Sequence, residues 1–267
     1  MKKWIYTLLL AVAVQVPVLA EDLALKAAVA APSRTKVNTA RDGARHPYET
    51  LSFFGIKSNM TVVEILPEGG WYTEILAPYL RDNGTLIGAG DPLTQDDEGR
   101  YTRLFKKLLD SNPAIYNKVS MGDFQPWKKN FKFAKDASVD MVLTFRNVHN
   151  WVNKGNEDVE AAFKAIFISL KPGGVFGVVD HRRPAGMQQD TDANSGYIHE
   201  AYVIRLAEAA GFKLAAKSEI NANPKDDTDY AFGVWSLPPS FGNGDYKRAK
   251  YAAIGESDRM TLKFVKP

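Results

Sequence analysis

Thr61-Val-Val-Glu-Ile-Leu-Pro-Glu-Gly-Gly-Trp-Tyr-Thr-Glu74 opens the stretch whose reading decides the fold, and Thr85-Leu-Ile-Gly-Ala-Gly-Asp91 closes it. The first run is apolar and rich in β-branched residues up to Leu66, as a parallel strand buried on both faces should be. A Gly-containing turn follows at 67–70, and then a helical run that Asp82-Asn83-Gly84 stops. The second apolar run ends in an acid, Asp91. Strand, glycine turn, helix and a strand ending in an acid make half of a nucleotide-type crevice in a doubly wound sheet.

Working outward, further strands are expected at 115–121, 139–145, 175–179, 212–220 and 260–265, with a short one at 232–235. Helices are expected at 71–80, 92–110, 156–170 and 195–210. Val159, Phe163, Ile166, Phe167 and Leu170 recur at helical spacing, and Leu104, Phe105, Leu108 and Leu109 form the inner face of the charged helix before them. Pro47 suits the first turn of a helix and Gly55 its stop. Alternating strands and helices predict an α/β fold: a doubly wound, mostly parallel Rossmann-like sheet of about seven strands with helices on both faces. The last strand follows the sixth without a long helix between them, so it is expected to insert antiparallel.

Composition narrows the function. Hydrophobic residues are 45% and charged residues 24% of the chain, values that fit a folded α/β domain. Met1-Lys2-Lys3, an apolar run over 4–18 and Val18-Leu19-Ala20 before Glu21 read as a secretory signal peptide, with cleavage after Ala20. The expected division is a signal at 1–20, a helical leader at 21–57 and the α/β domain at 58–267. The mature chain is expected in the periplasm or secreted, with no stable membrane insertion. Without Lys2 and Lys3 there are 32 Lys and Arg against 31 Asp and Glu, a balance that gives no reason to expect a nucleic-acid partner. There is no cysteine, which excludes disulfides, thiolate metal sites and a Cys nucleophile. Gly-x-Ser-x-Gly and Gly-x-x-x-x-Gly-Lys motifs are also absent.

Leu170-Lys-Pro-Gly-Gly174 directly before a strand, and Gly122-Asp123 after the third strand, together with the strand order, resemble class I methyltransferases that use S-adenosylmethionine. Within that superfamily the chain is similar to a group of exported, predicted bacterial methyltransferases. The similarity rests on the Arg45-His-Pro-Tyr-Glu-Thr-Leu51 leader, the Pro67-Glu-Gly-Gly-Trp-Tyr-Thr-Glu74 turn and the Ile254-Gly-Glu-Ser-Asp-Arg-Met-Thr-Leu262 ending. The resemblance implies S-adenosylmethionine as cofactor and an acceptor that is a small molecule. It implies that Gly69 and Gly70 let the backbone approach the methionine end of the cofactor, where Glu64 meets its amino group. Asp91 would accept the ribose hydroxyls, and Asp123 the adenine amino group, with Phe124 beside the ring. The family pattern is acid-x-Gly-x-Gly-x-Gly; here Leu66 and Glu68 stand in place of its first two glycines.

Methyl transfer from a sulfonium needs no metal, so the protein's tasks are alignment and, where required, removal of a proton. His149, His181 and His199 map to the ends of the fourth and fifth strands and the following helix, and are the candidate bases. Arg146, Asn147, Trp151 and Arg182 are the candidate acceptor contacts, the arginines for an anionic group. Arg45 and His46 are read either as lining a pocket mouth or as surface and capping residues. Two other functions fit the same residues. One is a non-catalytic binding protein on a methyltransferase-like scaffold, favoured by the altered glycine turn and the signal. The other is a hydrolase whose metal is held by three His and Asp180, although no His-x-x-x-His spacing is present.

Overall fold

The computed structural model describes residues 22–96 and 99–267, so the expected signal at 1–20 lies outside the described residues. The leader forms α1 (Leu23–Val29), α2 (Lys36–Thr39), α3 (Asp42–Arg45) and α4 (Pro47–Phe54). Then come β1 (Thr61–Ile65), α5 (Thr73–Leu80), β2 (Thr85–Gly90), α6 (Arg100–Ser111), α7 (Pro113–Tyr116) and β3 (Ser120–Asp123). The second half holds β4 (Val139–Phe145), α8 (Val148–Lys154), α9 (Asn156–Ser169), β5 (Leu170–Arg183), β6 (Ile198–His199) and α10 (Glu200–Ala210). It ends with β7 (Lys213–Ser218), α11 (Arg248–Ile254) and β8 (Arg259–Val265).

The sheet runs β3-β2-β1-β4-β5-β8-β7, with β6 adding a two-residue parallel pair to the end of β5. From β3 to β5 every pairing is parallel, and β8 is antiparallel to both β5 and β7, as expected for the last strand. Strand order reverses between β1 and β4, which is where an open sheet of this kind leaves its crevice. Alternate residues face opposite layers. Val62, Met141 and Leu143 pack with Leu51, Phe54, Ile75 and Leu76, while Val63, Val142 and Phe176 pack with Trp151, Phe163 and Ile166.

Several sequence expectations shift. The third strand is shorter than 115–121, because Pro113 at a first helical position starts α7 instead. Helix 92–110 begins only at Arg100, and its Leu104 is exposed while Phe105 is buried. Residues 171–174 do not form a turn ahead of the fifth strand. They lie within β5, where the register against β4 slips between Val139 and Met141. Residues 233–236 form a 3-10 turn and no strand. Helix 195–210 starts at Glu200, after Ile198 and His199 pair with β5. The expected α4 is present, with Pro47 at its start and Gly55 closing it at φ 81°. Among the described residues no helix is long and apolar enough to cross a membrane.

One carboxylate ties the leader to the C-terminal strand. Glu256 accepts from Arg41 Nε at 2.6 Å, Arg45 Nε at 3.2 Å and Arg259 Nη1 at 3.1 Å, and Arg259 also donates to the Ala44 carbonyl. Burial alone would raise the Glu256 carboxyl, but Arg45, Arg259 and Arg41 outweigh it and hold it down at about 2. A carboxyl depressed on folding contributes stability that is present above its unfolded value of 4.5 and lost as pH falls toward 2. At ~1.4 kcal/mol per pKa unit the contribution is about 3 kcal/mol. Glu256→Gln should therefore lower stability at pH 7 by about 3 kcal/mol or more, since it leaves buried guanidiniums uncompensated. It should also remove the part of the pH dependence between about 5 and about 2 that Glu256 contributes. Urea unfolding at pH 7 and pH 3 measures both effects; a variant as stable as the parent at pH 7 contradicts this assignment.

Candidate functional site

The carboxyl ends of β1, β2, β4 and β5 open into a cavity of about 790 Å³, a volume suited to a nucleoside-sized ligand together with a small partner. Its β1 side is built by Glu64, Ile65 and the turn Leu66-Pro67-Glu68-Gly69, with Asp91 from the end of β2. Its β4 side is built by Phe145, Arg146, Asn147 and His149, with His181 from β5. Arg41 and Arg45 enter from the leader, and Tyr101, Trp127 and Trp235 stand around it.

The turn after β1 carries the main local constraint. Leu66 and Glu68 both lie at φ 50°, and Gly70 at φ 74°. Two side-chain-bearing residues thus adopt the left-handed backbone that favours glycine, at about 1–2 kcal/mol each. These are the positions where the family pattern has glycines, so the backbone path is kept while the residues differ. A Cβ on Gly69 would meet nothing within 4 Å, so this residue borders open cavity. Gly70 is a correction: it is absent from the cavity wall, and a Cβ there would sit 2.1 Å from Leu108 Cδ2. Gly70 serves the turn and its packing against α6, rather than approach to a ligand.

Glu64 is buried, and Thr73 Oγ1 donates to its Oε2 at 2.6 Å. Burial raises its carboxyl to about 7 against the pull of that hydrogen bond. A cationic group in the cavity would relieve this desolvation. Asp91 is buried on the cavity wall, and its carbonyl accepts from Thr102 Oγ1 at 2.7 Å. Asp123 ends β3 one strand further out, off the cavity wall, with Oδ2 accepting from Asn130 Nδ2 at 3.2 Å. Phe124 corrects an expectation: it is fully buried in the core against Phe131, Phe133 and Trp151, and so cannot lie beside a ligand ring.

On the other side, Asp180 accepts from the backbone N–H of His149 at 3.2 Å and of His181 at 2.8 Å, and its Oδ1 lies 2.8 Å from His149 Nδ1. A carboxylate is an acceptor here, so Nδ1 of His149 carries the proton and Nε2 is left as the basic nitrogen. His181 Nδ1 lies 2.5 Å from Ser257 Oγ. Its pKa is held well below the ordinary value, first by burial and then by His149, Arg146, Arg259 and Arg45, so it stays neutral. Asn147 clamps the sheet, its Nδ2 donating to the Ile65 carbonyl and to Thr144 Oγ1, both at 3.1 Å. Trp151 reaches the cavity wall with a buried indole N–H that has no hydrogen-bond partner.

Two candidates leave the site. Arg182 is bound by Asp258 through Nε at 2.8 Å and by Glu219 through Nη1 and Nη2 at 2.8 and 2.7 Å, away from the cavity wall. His199 stands at the start of α10 without a side-chain capping bond, its backbone N–H donating to Gln189 Oε1 at 2.7 Å, and is also off the wall. Arg41, Arg259, Trp127 and Trp235 join the site or its surroundings without having been expected there. The Gly255-Glu256-Ser257-Asp258-Arg259 ending was the signal available for Arg259.

His149, Asp180 and His181 bring ligand atoms within 4.8 Å of one another, as a metal site would. Both Nδ1 atoms are already engaged, however, and the arginines nearby oppose a cation. The group reads better as a hydrogen-bonded row than as a metal centre.

No sequence-family model matches the chain, and no curated protein sequence matches it. Solved structures do. An S-adenosylmethionine-dependent methyltransferase from Aquifex aeolicus is 14% identical over 85% of this chain and 93% of its own, with a TM-score of 0.57. The fold is that of S-adenosylmethionine-dependent methyltransferases. The [4+2]-cyclase SpnF is similar at 15% identity over 91% of both chains and a TM-score of 0.58. A Haemonchus contortus phosphoethanolamine N-methyltransferase 2, in complex with S-adenosyl-L-methionine, is similar at 14% identity over 84% of this chain and 52% of its own, with a TM-score of 0.52. At such identities the likeness carries the fold alone.

Because the Glu64 carboxyl is raised on folding from 4.5 to about 7, its ionisation opposes folding: the penalty is absent below 4.5 and fully present above 7. Glu64→Gln should raise the stability of the ligand-free chain at pH 8 by about 3 kcal/mol at most, at ~1.4 kcal/mol per pKa unit. At pH 4.5 it should change little. Melting curves at both pH values check this, and an equal effect at both would refute the burial argument.

Proposed function

We propose that the chain is an exported S-adenosylmethionine-dependent methyltransferase acting on a small-molecule acceptor. The observation that carries this reading is the turn at 66–70. Leu66 and Glu68 hold, at an energetic cost, the left-handed path that the family pattern assigns to glycines. That path leaves Gly69 and the carboxylate of Glu64 facing the cavity. Export is proposed from the 1–20 sequence alone.

The residues fit the donor. Glu64 would take its ammonium group, the backbone around Gly69 its methionine end and Asp91 its ribose hydroxyls. When bound, the donor supplies an electrophilic methyl on a sulfonium. The chain's own residues hold the acceptor in line and manage its proton. Asp180 fixes the tautomer and orientation of His149, so Nε2 is the base that accepts the acceptor's proton. His181, kept neutral, forms the second imidazole at 5.2 Å between ring centroids.

A second reading, a binding protein without methyl transfer, is favoured by Glu68, whose charge stands beside the place proposed for the donor's carboxylate. SpnF, named as a cyclase, occupies the same fold with another activity.

Melting curves of residues 21–267 with S-adenosylmethionine, S-adenosylhomocysteine and zinc separate these readings. Ligand at ~100 times its Kd should stabilise by about 2.7 kcal/mol. Asp91→Ala should abolish that shift, and His149→Ala should retain it while losing transfer to any acceptor found. The absence of a shift with both donor and product would overturn the proposal; a zinc-dependent shift lost in His181→Ala would favour the hydrolase.

A further inference from the structure

Four guanidinium groups converge on the β4 side of the cavity with one carboxylate among them. Arg41, Arg45 and Arg146 line the main cavity, and Arg45, Arg146 and Arg259 surround an adjoining recess with Tyr72 and Asn221. Glu256 is shared by Arg41, Arg45 and Arg259. Arg146 forms no ion pair among the described residues. Three positive charges therefore exceed the carboxylate that serves them. Glu64 lies across on β1 with Thr73, and Asp180 accepts from the N–H groups of His149 and His181, so neither forms an ion pair with this group.

The donors are also unsatisfied. Arg45 Nη2, Arg41 Nη2 and Arg259 Nε are buried without a hydrogen-bond partner. Arg45 and Arg259 are themselves more than nine-tenths buried. A buried charged donor without an acceptor keeps its desolvation cost uncompensated, and an oxygen-rich anion removes that cost for several donors at once. Burial and then the neighbouring charge of Arg146 push the Arg45 guanidinium well below its ordinary pKa, which is the electrostatic signature of this crowding.

Position assigns the anion to one partner. Arg259 on β8 pairs with His181 on β5, and Arg146 directly follows β4, a turn before His149. The proposed ribose contact, Asp91 at the end of β2, lies on the far side of β1. The donor carries a sulfonium, an ammonium and one carboxylate, a net positive charge, so it cannot neutralise three surplus arginines. We propose that the methyl acceptor is a small anion whose carboxylate or phosphate group is held by Arg45 and Arg146 beside His149, with Arg259 behind them. This rests on the methyltransferase reading for the word acceptor, while the oxyanion site stands on the arginines themselves.

Calorimetric titration of the mature chain with inorganic phosphate and with succinate, at constant ionic strength, tests it. Each titration is run with and without saturating S-adenosylhomocysteine. The expected result is saturable binding of at least one anion that persists when S-adenosylhomocysteine is bound, with the tighter anion identifying the group. Arg146→Gln, which breaks no ion pair among the described residues, should weaken that binding ~10-fold or more and leave S-adenosylhomocysteine binding intact. Circular dichroism confirms that the variant is folded. Failure of both anions to bind saturably overturns the proposal, as does their complete displacement by S-adenosylhomocysteine, which would give the arginines to the donor's carboxylate. Anion binding that depends on Arg146 in a chain that does not bind S-adenosylhomocysteine would uphold the oxyanion site and remove the methyltransferase reading.

Discussion

The backbone between Leu66 and Gly70 must turn left-handed three times to leave β1 and enter α5, and the rest of the cavity is arranged around that path. The turn holds Gly69 at the cavity wall and leaves Glu64 facing inward at the strand end. A side chain on Gly70 would have to displace Leu108 of α6 and adopt a left-handed backbone at φ 74°. Two of the three positions hold residues that disfavour this conformation, so the surrounding packing must over-determine it. Leu66 helps by donating its backbone N–H to the Ala89 carbonyl at 2.7 Å, which joins the turn to β2.

Charge divides the cavity along the same line. On the β1–β2 side stand Glu64 and Asp91; on the β4–β5–β8 side stand Arg45, Arg146 and Arg259. Glu256 makes the second half possible by pairing with arginines from both ends of the chain. The leader is thus part of the site rather than a cover over it: Arg41 and Arg45 line the cavity, and Arg45 also lies over the Trp71 ring at 4.7 Å. A cavity with acids on one side and guanidiniums on the other suits a cationic donor beside an anionic acceptor.

Much of the fold was legible because its signals are local. Pro47 and Gly55 bracket α4, and the missing crossover helix before β8 announces its antiparallel pairing. Glu64, Asp91, Arg146 and His149 reach the cavity because strand ends place them there whatever else packs nearby. Errors arose where a distant partner decides a side chain's direction. Arg182 is taken by Glu219 and Asp258, and the link from Arg41 to Glu256 spans 215 residues. Phe124 turns inward because an aromatic cluster of Phe131, Phe133 and Trp151 receives it. Short helices such as α8 offer too few residues for periodicity to show.

A methyltransferase fold does not by itself decide the chemistry, as the similarity to a cyclase illustrates. The central claim is that this cavity holds S-adenosylmethionine across the turn at 66–70. A crystal structure of the chain with S-adenosylhomocysteine tests it most directly. The account predicts the homocysteine end against Gly69 and Glu64 and the ribose on Asp91, with the sulfur turned toward His149. A nucleoside bound elsewhere, or a cavity that stays empty at saturating ligand, would contradict it.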